Sequence, residues 1–266
     1  MGVVDGDDLV HVDADDVVAL LAAEPSLRVA LVEEALRTGP RSPIDGAELL
    51  APVPHPSKFL AIGLNYADHL AETGREAPDF PMFFNKQTTC VIGPGEGIEV
   101  PRVSNQVDFE GELGIVIGRR CRDVSAADAP SVVGGYMVVN DVSVRDWQRR
   151  SPTMTLGKSF DTHGPTGPWV TTADEVGDPH GRRLRTWVND ELMQDGDTGQ
   201  MLVDCWRQIE VLSTVCTLEP GDIIATGTPA GVGMARTPPV WLTAGDVVRI
   251  EIEGLGVLEN PVVPQP

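Results

Sequence analysis

The stretch Val107-Asp108-Phe109-Glu110-Gly111-Glu112-Leu113-Gly114-Ile115-Val116-Ile117-Gly118 places the tightest limit on how this chain folds. Residues two apart on a strand share a face. A continuous strand would set Val107, Phe109, Leu113, Ile115 and Ile117 on one side, and Asp108, Glu110 and Glu112 on the other. Carboxylates stacked that closely repel one another, and in apolar surroundings they need a compensating cation. An edge strand with a solvated acidic face is the bland alternative. The run Ile115-Val116-Ile117 speaks against it, being apolar on both faces as in strands covered from both sides. A buried strand that carries a cation site is the expectation.

Other residues extend that site. The apolar run Tyr136-Met137-Val138-Val139-Asn140 ends in Asp141. Taken alone, Asp141 is as good a helix cap as a ligand. With Glu110 and Glu112 it completes an all-carboxylate set, and hard oxygen donors without His or Cys suit Mg²⁺, Mn²⁺ or Ca²⁺ rather than zinc. In Asn65-Tyr66-Ala67-Asp68-His69-Leu70-Ala71-Glu72, a helix puts His69 and Glu72 on one face. That spacing serves a surface pair or an oriented general base. Lys158, in Leu156-Gly157-Lys158-Ser159-Phe160, either snorkels to solvent or is buried against an anion. The glycine-rich Ala225–Gly233 run lacks both nucleotide-binding spacings, and reads instead as a turn offering N–H groups and a threonine hydroxyl to a carboxylate.

Charge and organisation narrow the classes. Forty acidic against twenty basic residues give a net charge of −20, which repels nucleic acid and anionic membrane surfaces. No apolar run reaches the ~18 residues a membrane span needs. The acidic N-terminus has no signal-peptide pattern, so a cytoplasmic chain is expected. Cys90, Cys121, Cys205 and Cys216 show no metal-binding spacing and are expected as reduced, mostly buried thiols. Residues 1–56 read as a small N-terminal domain. It has two short helices, one capped by Asp13 or Asp15 and one by Ser26, then a linker with Pro40, Pro43, Pro52, Pro54 and Pro56. Residues 57–266 read as short strands broken by glycine and proline, with helices near 66–73, 143–150 and 204–217. The fold class is mixed α/β, mostly β.

In order along the chain, IGLNYADHLAE (62–72), DFEGELGIVIG (108–118), GGYMVVNDVSVRDWQ (134–148), LGKSFDTHGPTGPW (156–169) and PGDIIATGTPAGVG (220–233) resemble the fumarylacetoacetate hydrolase family. The texture is similar to its bacterial acylpyruvases, oxaloacetate decarboxylases and 2-hydroxyhepta-2,4-diene-1,7-dioate isomerases. The resemblance implies a β-roll assembled as a homodimer, with Mg²⁺ or Mn²⁺ held by Glu110, Glu112 and Asp141. It further implies a His69–Glu72 pair on a mobile lid helix that activates water, and Lys158 on the substrate's oxygens. Gln148 and Thr228 match substrate-contacting positions, and Arg145 a supporting one. The expected activity is metal-dependent hydrolysis of a C–C bond in a small 1,3-diketo or 2-oxo acid, through an enolate. Decarboxylation of an oxaloacetate-like acid and keto–enol isomerisation of a dienedioate use the same groups. A catalytically silent scaffold is the alternative from another class, disfavoured because so costly a set of charges is intact.

Overall fold

The computed structural model describes residues 1–266. Its centre is a seven-stranded mixed sheet in the order Met82–Lys86, Phe59–Gly63, Ile223–Ala225, Gly111–Ile117, Val133–Asn140, Gly164–Thr172, Val91–Ile92. A five-stranded sheet packs beside it, in the order Glu191–Asp197, Arg183–Val188, Val247–Ile252, Gly256–Pro264, Ile98–Val100. The mixed, largely β architecture agrees with the strand-and-turn texture of the sequence.

The strand Gly111–Ile117 is buried along its whole length because apolar clusters lie on both of its faces. Leu113, Ile115 and Ile117 point into the main core, while Val116 joins a second cluster with Phe59, Met137 and Ile223. Alternation at period two thus feeds two cores from one strand.

Register decides what gathers at one end of this sheet. Gly111 pairs with Asn140, Gly114 with Ala225, and Ala61 with Ala225. The segments leaving Gly63, Ala225 and Asn140, and the one entering Gly111, therefore meet at a single edge. Asn65 and the helix Ala67–Thr73, the 226–234 loop, Asp141, Glu110 and Glu112 are delivered there together. Each piece is local in sequence; their meeting is a property of the sheet.

Several sequence expectations need correction. The acidic strand is not continuous: Val107–Asp108 pairs with Ser143–Val144, the strand is interrupted at Phe109-Glu110, and the long strand starts at Gly111. Asp108 consequently leaves the face shared by the glutamates. The first helix, Val17–Ala22, is capped by Asp16, whose carboxylate accepts from the Ala19 N–H at 2.7 Å, and not by Asp13 or Asp15. The second, Pro25–Thr38, begins with Pro25 in its first turn and has no Ser26 cap. Proline is at home there because the first-turn N–H has no intrahelical partner to lose.

The N-terminal segment also holds a three-stranded sheet the sequence did not suggest, Gly2–Asp5, Asp8–His11 and Arg41–Pro43. Pro43 sits in an edge strand of it, where a missing donor is tolerated. Val10, Val12, Leu20 and Ala35 form a small core of their own. The helix near 143–150 is shorter than expected, Arg145–Gln148, and the third runs Cys205–Val215 behind an Asp204 cap. All four cysteines are free thiols, three of them buried. No helix is long and apolar enough to cross a membrane.

Candidate active site

Glu110, Glu112 and Asp141 offer oxygen atoms that all lie within 4.8 Å of one another, and each residue is at most 5% exposed. Backbone bonds fix the pairing. The Asp141 N–H donates to the Glu110 carbonyl at 2.9 Å, and the Asn140 side chain accepts from the Glu110 N–H at 3.1 Å. The Glu112 carboxylate accepts from the Gly227 N–H at 2.7 Å, which ties the strand to the glycine-rich loop.

Three buried cations surround this triad. Lys158 Nζ donates to Glu110 Oε2 at 2.5 Å and Asp141 Oδ2 at 2.6 Å. Lys86 Nζ donates to Asp141 Oδ1 at 2.6 Å. Arg145 Nη2 lies 2.7 Å from Glu110 Oε1 as an ion pair without hydrogen-bond alignment. Burial pushes the Glu110 carboxyl upward, but Arg145, Lys158 and His69 outweigh it and hold the group well below the usual carboxylate range. Burial likewise disfavours the Lys158 ammonium, yet Asp141 and Glu110 raise it above its ordinary value.

Glu112 differs. Only a backbone N–H answers its carboxylate, and burial, with Asp141 and Glu110 adding to it, pushes its pKa well above the ordinary range. With Asp108 included, four buried carboxylates face three buried cations, which leaves one negative charge short of compensation. A divalent ion fits this arrangement on two grounds: three hard oxygen donors converge, and the one carboxylate lacking a cationic partner is among them. Glu110, Glu112 and Asp141 are the residues that would hold it, with no soft or nitrogen donor in the set.

Over this floor stands the helix Ala67–Thr73. His69 Nδ1 and Glu72 Oε1 are 2.7 Å apart, so the i,i+3 pair is formed and the carboxylate orients the ring. The other oxygen, Glu72 Oε2, accepts from the Gly231 N–H at 2.8 Å. The remaining sequence-predicted residues lie about the same floor. Gln148 Oε1 accepts from Arg145 Nη1 at 3.1 Å, and the Thr228 hydroxyl donates to the Gly111 carbonyl at 2.9 Å.

Sequence reasoning missed three contributors. Lys86 ends the apolar Met82–Lys86 strand, and a lone lysine closing Phe83-Phe84-Asn85 was the signal available. Asp108 was counted with the glutamates instead of as their support. Gln194 donates to Thr228 Oγ1 at 2.7 Å and accepts from the Gly111 N–H, and nothing in its neighbourhood of the sequence marked it.

A buried triad of hard oxygen donors, ringed by ammonium and guanidinium groups under an oriented imidazole, is the site of an enzyme rather than of a structural core. Residues 58–263 match the model of the fumarylacetoacetate (FAA) hydrolase C-terminal family. A mitochondrial oxaloacetate tautomerase, fahd2 of Xenopus laevis, is 41% identical over 268 residues, covering 94% of this chain and 84% of its own. Among solved structures, a 2-hydroxyhepta-2,4-diene-1,7-dioate isomerase from Mycobacterium marinum superposes with TM-score 0.76 at 43% identity, covering 86% of this chain and 82% of its own. A maleylpyruvate hydrolase from Sphingobium sp. SYK-6, in complex with manganese(II) and pyruvate, superposes with TM-score 0.84 at 36% identity, covering 100% and 96%. The chain belongs to the fumarylacetoacetate hydrolase family.

Proposed function

We propose that this enzyme hydrolyses a C–C bond in a small 1,3-diketo or 2-oxo acid of the acylpyruvate type, with Mg²⁺ or Mn²⁺ held by Glu110, Glu112 and Asp141. The observation that carries this reading is the formed His69–Glu72 pair above the acid triad, at 2.7 Å. When bound, the ion supplies Lewis-acid polarisation of the substrate's keto and carboxylate oxygens and reverses the site's net negative charge.

The rest falls to side chains of this chain. Glu72 accepts a hydrogen bond from His69 Nδ1–H, which keeps that proton, so Nε2 carries the free lone pair and takes a proton from water. The resulting hydroxide adds to the distal carbonyl carbon. The C–C bond then breaks, its electron pair passes into the departing pyruvyl fragment as an enolate, and the imidazolium returns its proton there. Lys158 faces the developing negative charge with an ammonium already fixed in place, which costs no reorganisation during reaction. Arg145 and Gln148 form the polar wall beside it.

One observation favours a second reading. A relative that covers nearly the whole chain is an oxaloacetate tautomerase, for which His69 would move a proton at carbon instead of water. Product mass separates the two. Incubated with an acylpyruvate and Mg²⁺, the enzyme is expected to give pyruvate and a carboxylic acid, with loss of diketone absorbance. Unchanged substrate mass, together with accelerated keto–enol exchange of oxaloacetate, would overturn hydrolysis in favour of tautomerisation.

A further inference from the structure

The loop that receives the His69–Glu72 helix is itself held by a carboxylate that belongs to neither the acid triad nor the helix. Asp108 is wholly buried. Its Oδ1 accepts from the Gly233 N–H at 2.8 Å, and its Oδ2 accepts from the Met234 N–H at 3.0 Å. The same Oδ2 accepts from Arg145 Nε at 2.8 Å, and Arg145 Nη2 is the group lying against Glu110. Two residues before Gly233, the Gly231 N–H is the donor that meets Glu72. The loop approaches so closely that side chains are excluded. A Cβ on Gly233 would fall 2.7 Å from Asp108 Oδ1, and one on Gly231 would fall 2.1 Å from the Met193 carbonyl.

The helix on the other side of this contact buries His69 and Leu70 but makes few hydrogen bonds to the body. The Glu72–Gly231 bond is the one hydrogen bond that joins a side chain of Ala67–Thr73 to the body of the protein. Residues 74–80, which follow it, are all exposed. Segments with so few anchors open at low free energy.

We propose that Asp108 is a positioning residue that couples docking of the Ala67–Thr73 helix to the placement of Glu110. Its two oxygens hold the Gly233 and Met234 N–H groups of the loop that receives Glu72, and Oδ2 also holds the guanidinium that lies against Glu110. A docked helix therefore steadies Arg145 and Glu110 through Asp108, and a displaced one loosens them. Distance alone does not establish coupling; both ends must respond to one element.

The test reads protection and binding, with no turnover in it, so it stands apart from the identity of the reaction. In Glu72→Ala, which leaves the Asp108–Arg145 pair intact, amide hydrogen exchange is expected to accelerate at Gly233 and Met234 as well as at Gly231. Acceleration confined to Gly231 would overturn the proposal. In Asp108→Asn the side chain keeps one acceptor for Gly233 but presents an amide to Arg145 and Met234. Trypsin cleavage after Arg75 is then expected to speed up roughly tenfold, and Mn²⁺ affinity to fall roughly tenfold, as for other residues that support a ligand. The double variant is expected to be cleaved no faster than Glu72→Ala alone, since both act on one contact. Unchanged cleavage in folded Asp108→Asn, or additive effects in the double variant, would sink it. Should Asp108→Asn fail to fold, the exchange pattern of Glu72→Ala still decides.

Discussion

The floor of the site and the helix above it carry similar chemistry on opposite mechanical terms. On the floor, Glu110, Glu112, Asp141, Lys86, Lys158 and Arg145 are all at most 5% exposed, and every one except Glu112 has an ionic partner within 3 Å. A buried charge can neither turn toward water nor lose its partner cheaply, so the floor is rigid. The His69–Glu72 pair is anchored at one backbone N–H and trails an exposed tail. The floor is thus locked by mutual charge, and the side chains of the helix reach the body through a single hydrogen bond, from the Gly231 N–H to Glu72.

The largest expected effect lies on the floor. Glu110→Ala should abolish Mn²⁺ binding, read by isothermal titration. It should also lower unfolding free energy by about 3 kcal/mol in urea, because Arg145 and Lys158 each lose a buried partner. Full Mn²⁺ affinity in that variant would remove Glu110 from the ligand set.

His69→Ala should cut kcat by roughly 10²–10⁴-fold, the usual range for a lost general base, while sparing Mn²⁺ affinity. If metal affinity collapses as well, His69 helps to hold the ion, and its assignment as a base alone is wrong.

An intermediate effect concerns acid. Burial pushes the His163 imidazole, fully enclosed beside Phe160, down to about 4. Its folded value lies below the unfolded value of about 6.5, so the unfolded chain binds the proton first. The stability tied to the neutral ring is therefore fully present above about pH 6.5 and is lost as pH falls toward 4, by up to about 3 kcal/mol. Urea midpoints at pH 7 and 4.5 should show the loss, and His163→Gln should flatten it. An identical pH dependence in both proteins would exclude this ring as the cause.

The smallest effect belongs to the helix. Glu72→Ala should change global unfolding by less than about 2 kcal/mol, since it removes two peripheral hydrogen bonds, to His69 and to the Gly231 N–H. A loss comparable to that of Glu110→Ala would erase the contrast between the regions.

Much of the site was legible because its residues sit in short segments of strong local pattern. Glu110 and Glu112 stand out as acids inside an apolar strand, Asp141 as the acid ending another, and His69 with Glu72 as one helical face. Lys158 was legible as a lysine in need of an anion, and the structure supplies two. Asp108 was misread because local alternation at period two gives no notice of the strand's interruption at Phe109-Glu110, which depends on pairing with Ser143–Val144 more than thirty residues away. Lys86 and Gln194 left only faint marks or none, since each is defined by partners distant in the chain.

By itself the sequence determined periodicity, turn positions and the kind of charge each segment carries, because these depend on neighbours a few residues apart. The tertiary structure decided which charges meet. Strand register aligned the ends at Gly63, Gly111, Asn140 and Ala225, and burial turned ions far apart in sequence into one enclosed, largely paired cluster. Electrostatic interaction grows steeply once water is excluded, so the same residues acquire their chemistry only where the fold brings them together.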